Sequence, residues 1–368
     1  MALTLLLHGR HAHHAVTYQP LGPWLVPWRF RSFEAEYEAL QRGAGLIDYS
    51  HHAMIEVRGA DRVSFLHNLL TNDIKRLAQG SGCRAALLDP SAKLIAELLV
   101  LADLDALWLL CELQCAGMVM QALERSLFSE QVTLTNLERR QAVLALQGPR
   151  TMDLLRELTG AVVRLSETGD HTVMRFQEIT ARLVRRRLTD ADGLLLLVNA
   201  EEALALWDWM NHRGRSAGLV PVGWDALNTA RIEAGIPWFG LDMDATNLLP
   251  ETGLEETLAS ETKGCYVGQE IVARMRTYGS PNKKLMGLLI DGSEVPQTRD
   301  PITRGEETVG WVTSGCRSPA LQRPIAMGYL KRGAYEPGTS VEILRGDARL
   351  AATVVSRPLV PHKTVHSP

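Results

Sequence analysis

One pattern occurs twice in this chain. Ile55-Glu56-Val57-Arg58-Gly59-Ala60-Asp61 alternates in polarity and runs into glycine, and Phe65, Leu66, Leu69 and Leu70 follow at helical spacing. Leu144-Ala145-Leu146-Gln147-Gly148-Pro149-Arg150 does the same, with Leu154, Leu155 and Leu158 behind it. A strand, a glycine turn and a helix repeated in register over about fifteen residues imply two related modules.

The rest of the chain arranges itself around that repeat. Residues 19–31 carry Pro20, Pro23, Pro27, Trp24, Trp28 and Phe30 and read as the end of an extended N-terminal arm. Ser32 caps a helix through Leu40 that Gly43 and Gly45 end. Residues 46–52 read as a strand running into a turn at His51 and His52. Residues 83–112 read as two strands about a turn at Asp89, and 116–127 as a helix whose Met118 and Met120 belong to a core. Residues 173–187 alternate like one strand, 194–198 are a buried strand, and helices are expected over 200–210 and 223–233. From Lys283 onward, short alternating segments at 285–290, 308–313, 325–330, 340–344 and 350–355 stand between glycine and proline turns, as in a small antiparallel barrel.

Composition narrows the function classes. The 368 residues suffice for two or three domains, and a net charge of -3 leaves no electrostatic footprint for bulk nucleic acid or an anionic membrane. No apolar run reaches the ~20 residues a membrane span needs. Five cysteines make no disulfide scaffold. Cys111 and Cys115 have no second pair to complete a metal set, so no metal ligands are expected. His8, His11, His13 and His14 read as a solvated arm, and the protein as cytoplasmic.

The chemistry concentrates in Lys263-Gly264-Cys265-Tyr266-Val267-Gly268-Gln269-Glu270. Gly268 precedes an amphipathic helix, and Glu270 falls in its first turn, where a carboxylate suits the helix dipole. Cys265 is either a small buried hydrophobe or a thiol drawn toward thiolate by Lys263 and the helix start. This octapeptide resembles the K-G-C-Y-x-G-Q-E signature of the YgfZ family, folate-binding proteins that assist iron–sulfur enzymes. That family lies within the superfamily of the glycine-cleavage T-protein, the aminomethyltransferase. Further landmarks similar to that superfamily are Asp48-Tyr49-Ser50-His51, Leu70-Thr71-Asn72-Asp73, the series from Arg231 to Gly235, Gly240-Leu241-Asp242, Pro250 to Leu254, and Gly310 to Gly315.

The resemblance implies an α+β fold: two ferredoxin-like α/β modules plus a C-terminal small antiparallel β-barrel around a central ligand cavity. The expected divisions are an extended arm over 1–31, modules over 32–140 and 141–282, and a barrel over 283–368. It also implies tetrahydrofolate or a derivative as cofactor. T-protein relatives hold the pterin with a T-G-E-x-G turn. Here the turn is Thr189-Asp190-Ala191-Asp192-Gly193, with alanine in place of the glutamate and Asp192 one residue on. They also carry an Asp-Asp pair, where this chain has Ala96-Glu97. The altered pair argues against aminomethyl transfer while leaving Glu97 as a carboxylate for it. Arg231 can meet an anionic ligand or form a helix ion pair. Asn72 and Asp73 can grip a ligand edge or cap a helix.

The function expected on these grounds is a folate-binding accessory protein for assembly or repair of iron–sulfur enzymes, with Cys265 as a reactive thiol near the folate cavity. The alternative is a tetrahydrofolate-dependent aminomethyltransferase or other one-carbon transferase of the T-protein type. The candidate catalytic residues are Cys265, Lys263, Gln269, Glu270 and Glu97, and the candidate folate-binding residues are Arg231, Asp192, Asn72 and Asp73. The expected partners are folate and iron–sulfur proteins or their assembly factors, with no direct nucleic acid and no membrane, the protein itself being a monomer.

Overall fold

The glycines of the repeat explain why it recurs. Gly59 and Gly148 both hold positive φ, +114° and +130°. A Cβ on Gly59 would lie 1.9 Å from the Gln131 carbonyl oxygen, and one on Gly148 would lie 2.5 Å from that of Gly43. No side chain fits either place, so both strands turn into their helices through glycine. The strands are His52–Arg58 and Gln141–Gln147, and the helices Arg62–Leu69 and Thr151–Thr159. The computed structural model describes residues 2–11 and 16–361, with 276–278 as backbone only; His13 and His14 lie outside them.

Each repeat seeds a sheet. The first sheet is antiparallel with five strands, in the order Gly82–Leu88, Leu94–Ala102, Ala106–Glu112, His52–Arg58, Thr133–Asn136. The second has six, in the order His171–Phe176, Ile179–Arg185, Gly193–Asn199, Gln141–Gln147, Ala44–Asp48, Leu219–Pro221, the last pair parallel. The apolar run in Gly193–Asn199 is buried as expected, because Leu144, Leu146, Leu154, Leu196, Leu206, Trp207 and Met210 close one core about it. Two stretches divide further than the alternation suggests. Residues 83–112 hold three strands rather than two, and residues 173–187 hold most of a two-strand hairpin, with Gln177 at positive φ in its turn. Met118 is 45% exposed on its helix rather than in a core.

The N-terminal segment is a small sheet of Leu3–Thr4, Thr17–Leu21 and Trp24–Arg29. His11 is not solvated: it is fully buried, with Nε2 3.0 Å from Asp48 Oδ2 and its ring against Phe30 and Trp207.

The C-terminal strands close into a six-stranded antiparallel barrel of Lys283–Ile290, Arg323–Lys331, Glu307–Ser318, Pro301–Arg304, Ser340–Arg345 and Ala348–Val355. Its interior is filled by Leu288, Ile290, Ile302, Val312, Ile343 and Val354. The fold is thus α+β with a closed terminal barrel, as the sequence implied. By compactness the chain forms two units, one of residues 1–227 with 256–269 and one of 228–255 with 270–368. Among the described residues no helix is long and apolar enough to cross a membrane.

Candidate functional site

A half-buried carboxylate lies where the two sheets of the first unit meet. Glu97 projects from Leu94–Ala102, and Arg84 from the neighbouring strand Gly82–Leu88. The register pairs Arg84 with Leu99 and Ala86 with Glu97, so the two charged residues are diagonal neighbours on one face. Arg84 donates to Glu97 Oε1 from Nε at 2.8 Å and approaches it with Nη2 at 2.7 Å. Arg186, just past the strand Ile179–Arg185 of the other module, donates to the same oxygen from Nη2 at 3.2 Å. Burial alone would raise the Glu97 pKa. The two guanidiniums outweigh it and hold the carboxyl below its ordinary value.

A ring cluster adjoins this triad. Tyr49 leaves the strand Ala44–Asp48 and stacks on His52, with centroids 3.9 Å apart. His51 and His52 have ring centroids 4.7 Å apart. His52 Nε2 lies 3.3 Å from Glu112 Oε1. Burial pulls His51 down to about 4 against the opposing charge of Asp48, and takes His52 well below an ordinary imidazole. Burial, with the negative charge of Glu97, pushes Glu112 well above the usual carboxylate range. Two carboxyls in one cluster are therefore driven apart, Glu97 downward and Glu112 upward.

The octapeptide forms a pinned loop. Lys263 is buried, and its ammonium donates to the carbonyls of His67 and Leu70 at the end of the helix Arg62–Leu69. It also lies 5.0 Å from the centroid of the Tyr266 ring. Burial lowers the Lys263 pKa to about 8, with Asp73 acting against the shift. Thr71 donates to the Leu258 carbonyl at 2.5 Å, and the Ser260 N–H donates to the Thr71 carbonyl at 3.0 Å. Cys265 itself is exposed, while Cys111, Cys115 and Cys316 are buried and Cys83 is half-buried. Burial pushes Cys83 and Cys115 up to about 12 and Cys111 higher still, so these three stay thiols.

Of the residues singled out from sequence, the fold gathers Lys263, Asn72 and Asp73 around one helix end. Asn72 donates to the Arg84 carbonyl at 2.8 Å, which links that end to the Glu97 triad. Asp73 lies 3.4 Å from His67 Nδ1 and 3.2 Å from Arg76 Nε. Asp192 is engaged by Arg185 at 2.7 Å and Arg187 at 3.1 Å. Gln269 opens the helix Gln269–Tyr278, and Glu270 is exposed and paired with Arg274 at 2.6 Å. Arg231 belongs to the other unit. It is fully buried, donating to Asp242 Oδ2 at 2.5 Å, Ser314 Oγ at 2.8 Å and the Ile236 carbonyl at 3.1 Å. Its ion pair is made with Asp242, beyond the end of its own helix Trp224–Glu233, rather than within that helix as expected.

Sequence reasoning missed Arg84, Arg186 and Glu112. Arg186 is hidden in the run Arg185-Arg186-Arg187, while Arg84 and Glu112 are each a lone charge within an apolar strand. Such a residue stays in a fold only if a partner meets it, and that was the available signal.

Comparison with known proteins fits this architecture. A family model described as the GCVT N-terminal domain matches residues 7–262, and one described as the glycine cleavage T-protein C-terminal barrel domain matches 283–361. The chain belongs to the glycine cleavage T-protein family. Among its curated T-protein relatives, a protein named aminomethyltransferase from Symbiobacterium thermophilum is 30% identical over 97% of both chains. Another of that name, from Bacillus pumilus, is 28% identical over 96% of this chain and 97% of its own. The crystal structure of glycine cleavage system aminomethyltransferase T from Bartonella henselae matches with a TM-score of 0.89. It covers 98% of this chain and 99% of its own at 23% identity, and so speaks to the T-protein fold.

These findings correct the expected function. The iron–sulfur accessory role, its iron–sulfur partners and the doubt about enzymatic activity rested on eight residues and one altered acidic pair. T-protein relatives aligned from end to end are named aminomethyltransferase instead. The YgfZ resemblance of the octapeptide has no counterpart in those names.

Proposed function

We propose that this chain is a tetrahydrofolate-dependent one-carbon transferase of the aminomethyltransferase type. The observation that carries the reading is the end-to-end alignment with relatives of that name, over more than nine-tenths of both chains. The Glu97 triad supports it. Moving an aminomethyl carbon between nitrogen and another donor builds positive charge at that carbon, and a fixed carboxylate stabilises such charge. Glu97 is a fixed carboxylate, half-buried and held by two guanidiniums. Held below its ordinary pKa by Arg84 and Arg186, it suits electrostatic stabilisation better than proton abstraction. The chain keeps one acidic side chain where its family has two, and sets it on a longer arm between two guanidiniums.

Folate is the cofactor this reading requires. An anionic, flat ligand suits a face that carries Arg84, Arg186 and the Tyr49 ring, and Asn72 and Asp73 at the adjoining helix end are candidate edge contacts.

The test is direct. Purified protein is given tetrahydrofolate and an aminomethyl donor, and ammonia and one-carbon-loaded folate are measured. Turnover is expected, and Glu97→Gln should lower it by about 10²–10³, as the loss of one transition-state electrostatic contact does. Absence of both turnover and any tetrahydrofolate-dependent rise in melting temperature would overturn the proposal.

A further inference from the structure

His52 and Glu112 do something the transfer reaction does not ask of them. They are directly opposed partners on adjacent antiparallel strands. His51 precedes His52, and its carbonyl accepts from the Leu113 N–H at 2.8 Å, which ties the donor-bearing turn to the residue after Glu112. One donor atom from each of His51, His52 and Glu112 lies within 4.8 Å of the other two. We infer that these three side chains form a site for a borderline first-row divalent cation, of which zinc is the representative. The proposal stands apart from the transferase reading and needs no folate.

The donor set decides the class of ion. Two imidazole nitrogens and one carboxylate oxygen are what zinc takes where a fourth position is left open, whereas magnesium and calcium favour oxygen throughout. With bonds of about 2.0–2.1 Å, two ligand atoms of a tetrahedral site stand roughly 3.3–3.4 Å apart. The His52–Glu112 separation, 3.3 Å, already has that value. A plain imidazole–carboxyl hydrogen bond would account for those two residues. His51, whose ring also meets Tyr49 and Trp224 edge-on, adds a second imidazole with a donor nitrogen within 4.8 Å of both.

The surroundings permit the ion. The donors sit on paired strands and a tied turn, which fixes them before binding. The nearby cations Arg84 and Arg186 are both directed at Glu97, whose single negative charge offsets one of the two. Cys111 and Cys115 flank Glu112 in sequence but do not belong to the donor cluster.

The experiment uses the full chain, stripped with chelator and titrated with zinc alone. His8, His13 and His14 are first changed to glutamine, so that the N-terminal histidines cannot bind it. One equivalent should bind. Glu112→Gln and His51→Gln should each weaken binding beyond the ~10–100-fold that losing a partner outside the coordination sphere costs. Cobalt in place of zinc should give a visible absorption band that His52→Gln abolishes. The metal-free melting temperature of each variant separates lost ligation from lost folding, and the cobalt band reads ligation independently. Failure to bind one equivalent, or one equivalent held equally well by Glu112→Gln and His51→Gln, overturns the site.

Discussion

Arg231 shows how a single side chain can mislead. Its place in a family-like series makes it a candidate for an anionic ligand, yet its guanidinium is spent inside the protein. Asp242 Oδ2 takes Arg231 and the Trp238 N–H, and Oδ1 takes the hydroxyls of Thr313 and Ser314 at 2.6 Å each. Removing one member of such a buried pair leaves an uncompensated charge. Arg231→Ala should therefore lower the unfolding free energy by about 3–5 kcal/mol, read by urea denaturation. A variant of unchanged stability that had lost only folate affinity would reverse this assignment.

His51 makes a second prediction at the same level. Its folded pKa, about 4, lies below the ordinary 6.5, so between those values the unfolded chain binds more protons than the folded one. Stability from this group is complete above pH ~6.5 and is lost as pH falls toward 4, in total about 3 kcal/mol. Urea midpoints measured with chelator at pH 7 and pH 4.5 should fall less for His51→Gln than for the natural chain. Equal falls would show that another group sets the acid limit.

Among the elements, the pinned loop at 260–268 separates what could be read from what could not. Its unusual composition was legible, since a lysine, a cysteine and two glycines crowded together announce a special loop. The anchor was not. Lys263 caps a helix nearly two hundred positions earlier in the chain, and no local spacing records a bond between an ammonium and distant carbonyls. Lys263→Met should cost about 2 kcal/mol, the range for hydrogen bonds to a charged group. Hydrogen exchange over 260–268 should speed up; unchanged exchange would mean the backbone bonds hold the loop by themselves.

The barrel and the repeat were readable for the opposite reason. Alternation and glycine turns are local, and five of the six barrel strands answer to the expected segments, the short Pro301–Arg304 being the one missed. The five-stranded sheet was under-divided because Leu94–Ala102 and Ala106–Glu112 are apolar except for Glu97 and Glu112, so only the short turn at Asp103 separates them. Glu97 was identifiable by family position, whereas Arg84, Arg186 and Glu112 become a site only when sheets that are distant in sequence are folded together.

Across the whole chain, domain order and compact units do not coincide. Residues 228–255 fall within the match to the N-terminal family domain, yet they belong to the barrel's unit. Ile232 joins the cluster of Leu285, Ile325, Met327 and Tyr329, and Glu233 accepts from Ser318. The isolated fragment 283–361 should therefore expose apolar surface, bind a hydrophobic dye and melt without a cooperative transition. A sharp melt from that fragment alone would show the segment to be dispensable.

The accessibility of Cys265 has a practical consequence. Of the five cysteines only Cys265 is exposed, and three of the others are pushed strongly toward the neutral thiol. A maleimide fluorophore added at neutral pH will mark one position, beside Tyr266 and the Lys263 clasp. The natural chain thus carries its own attachment point for a reporter of loop motion, with no engineered cysteine needed.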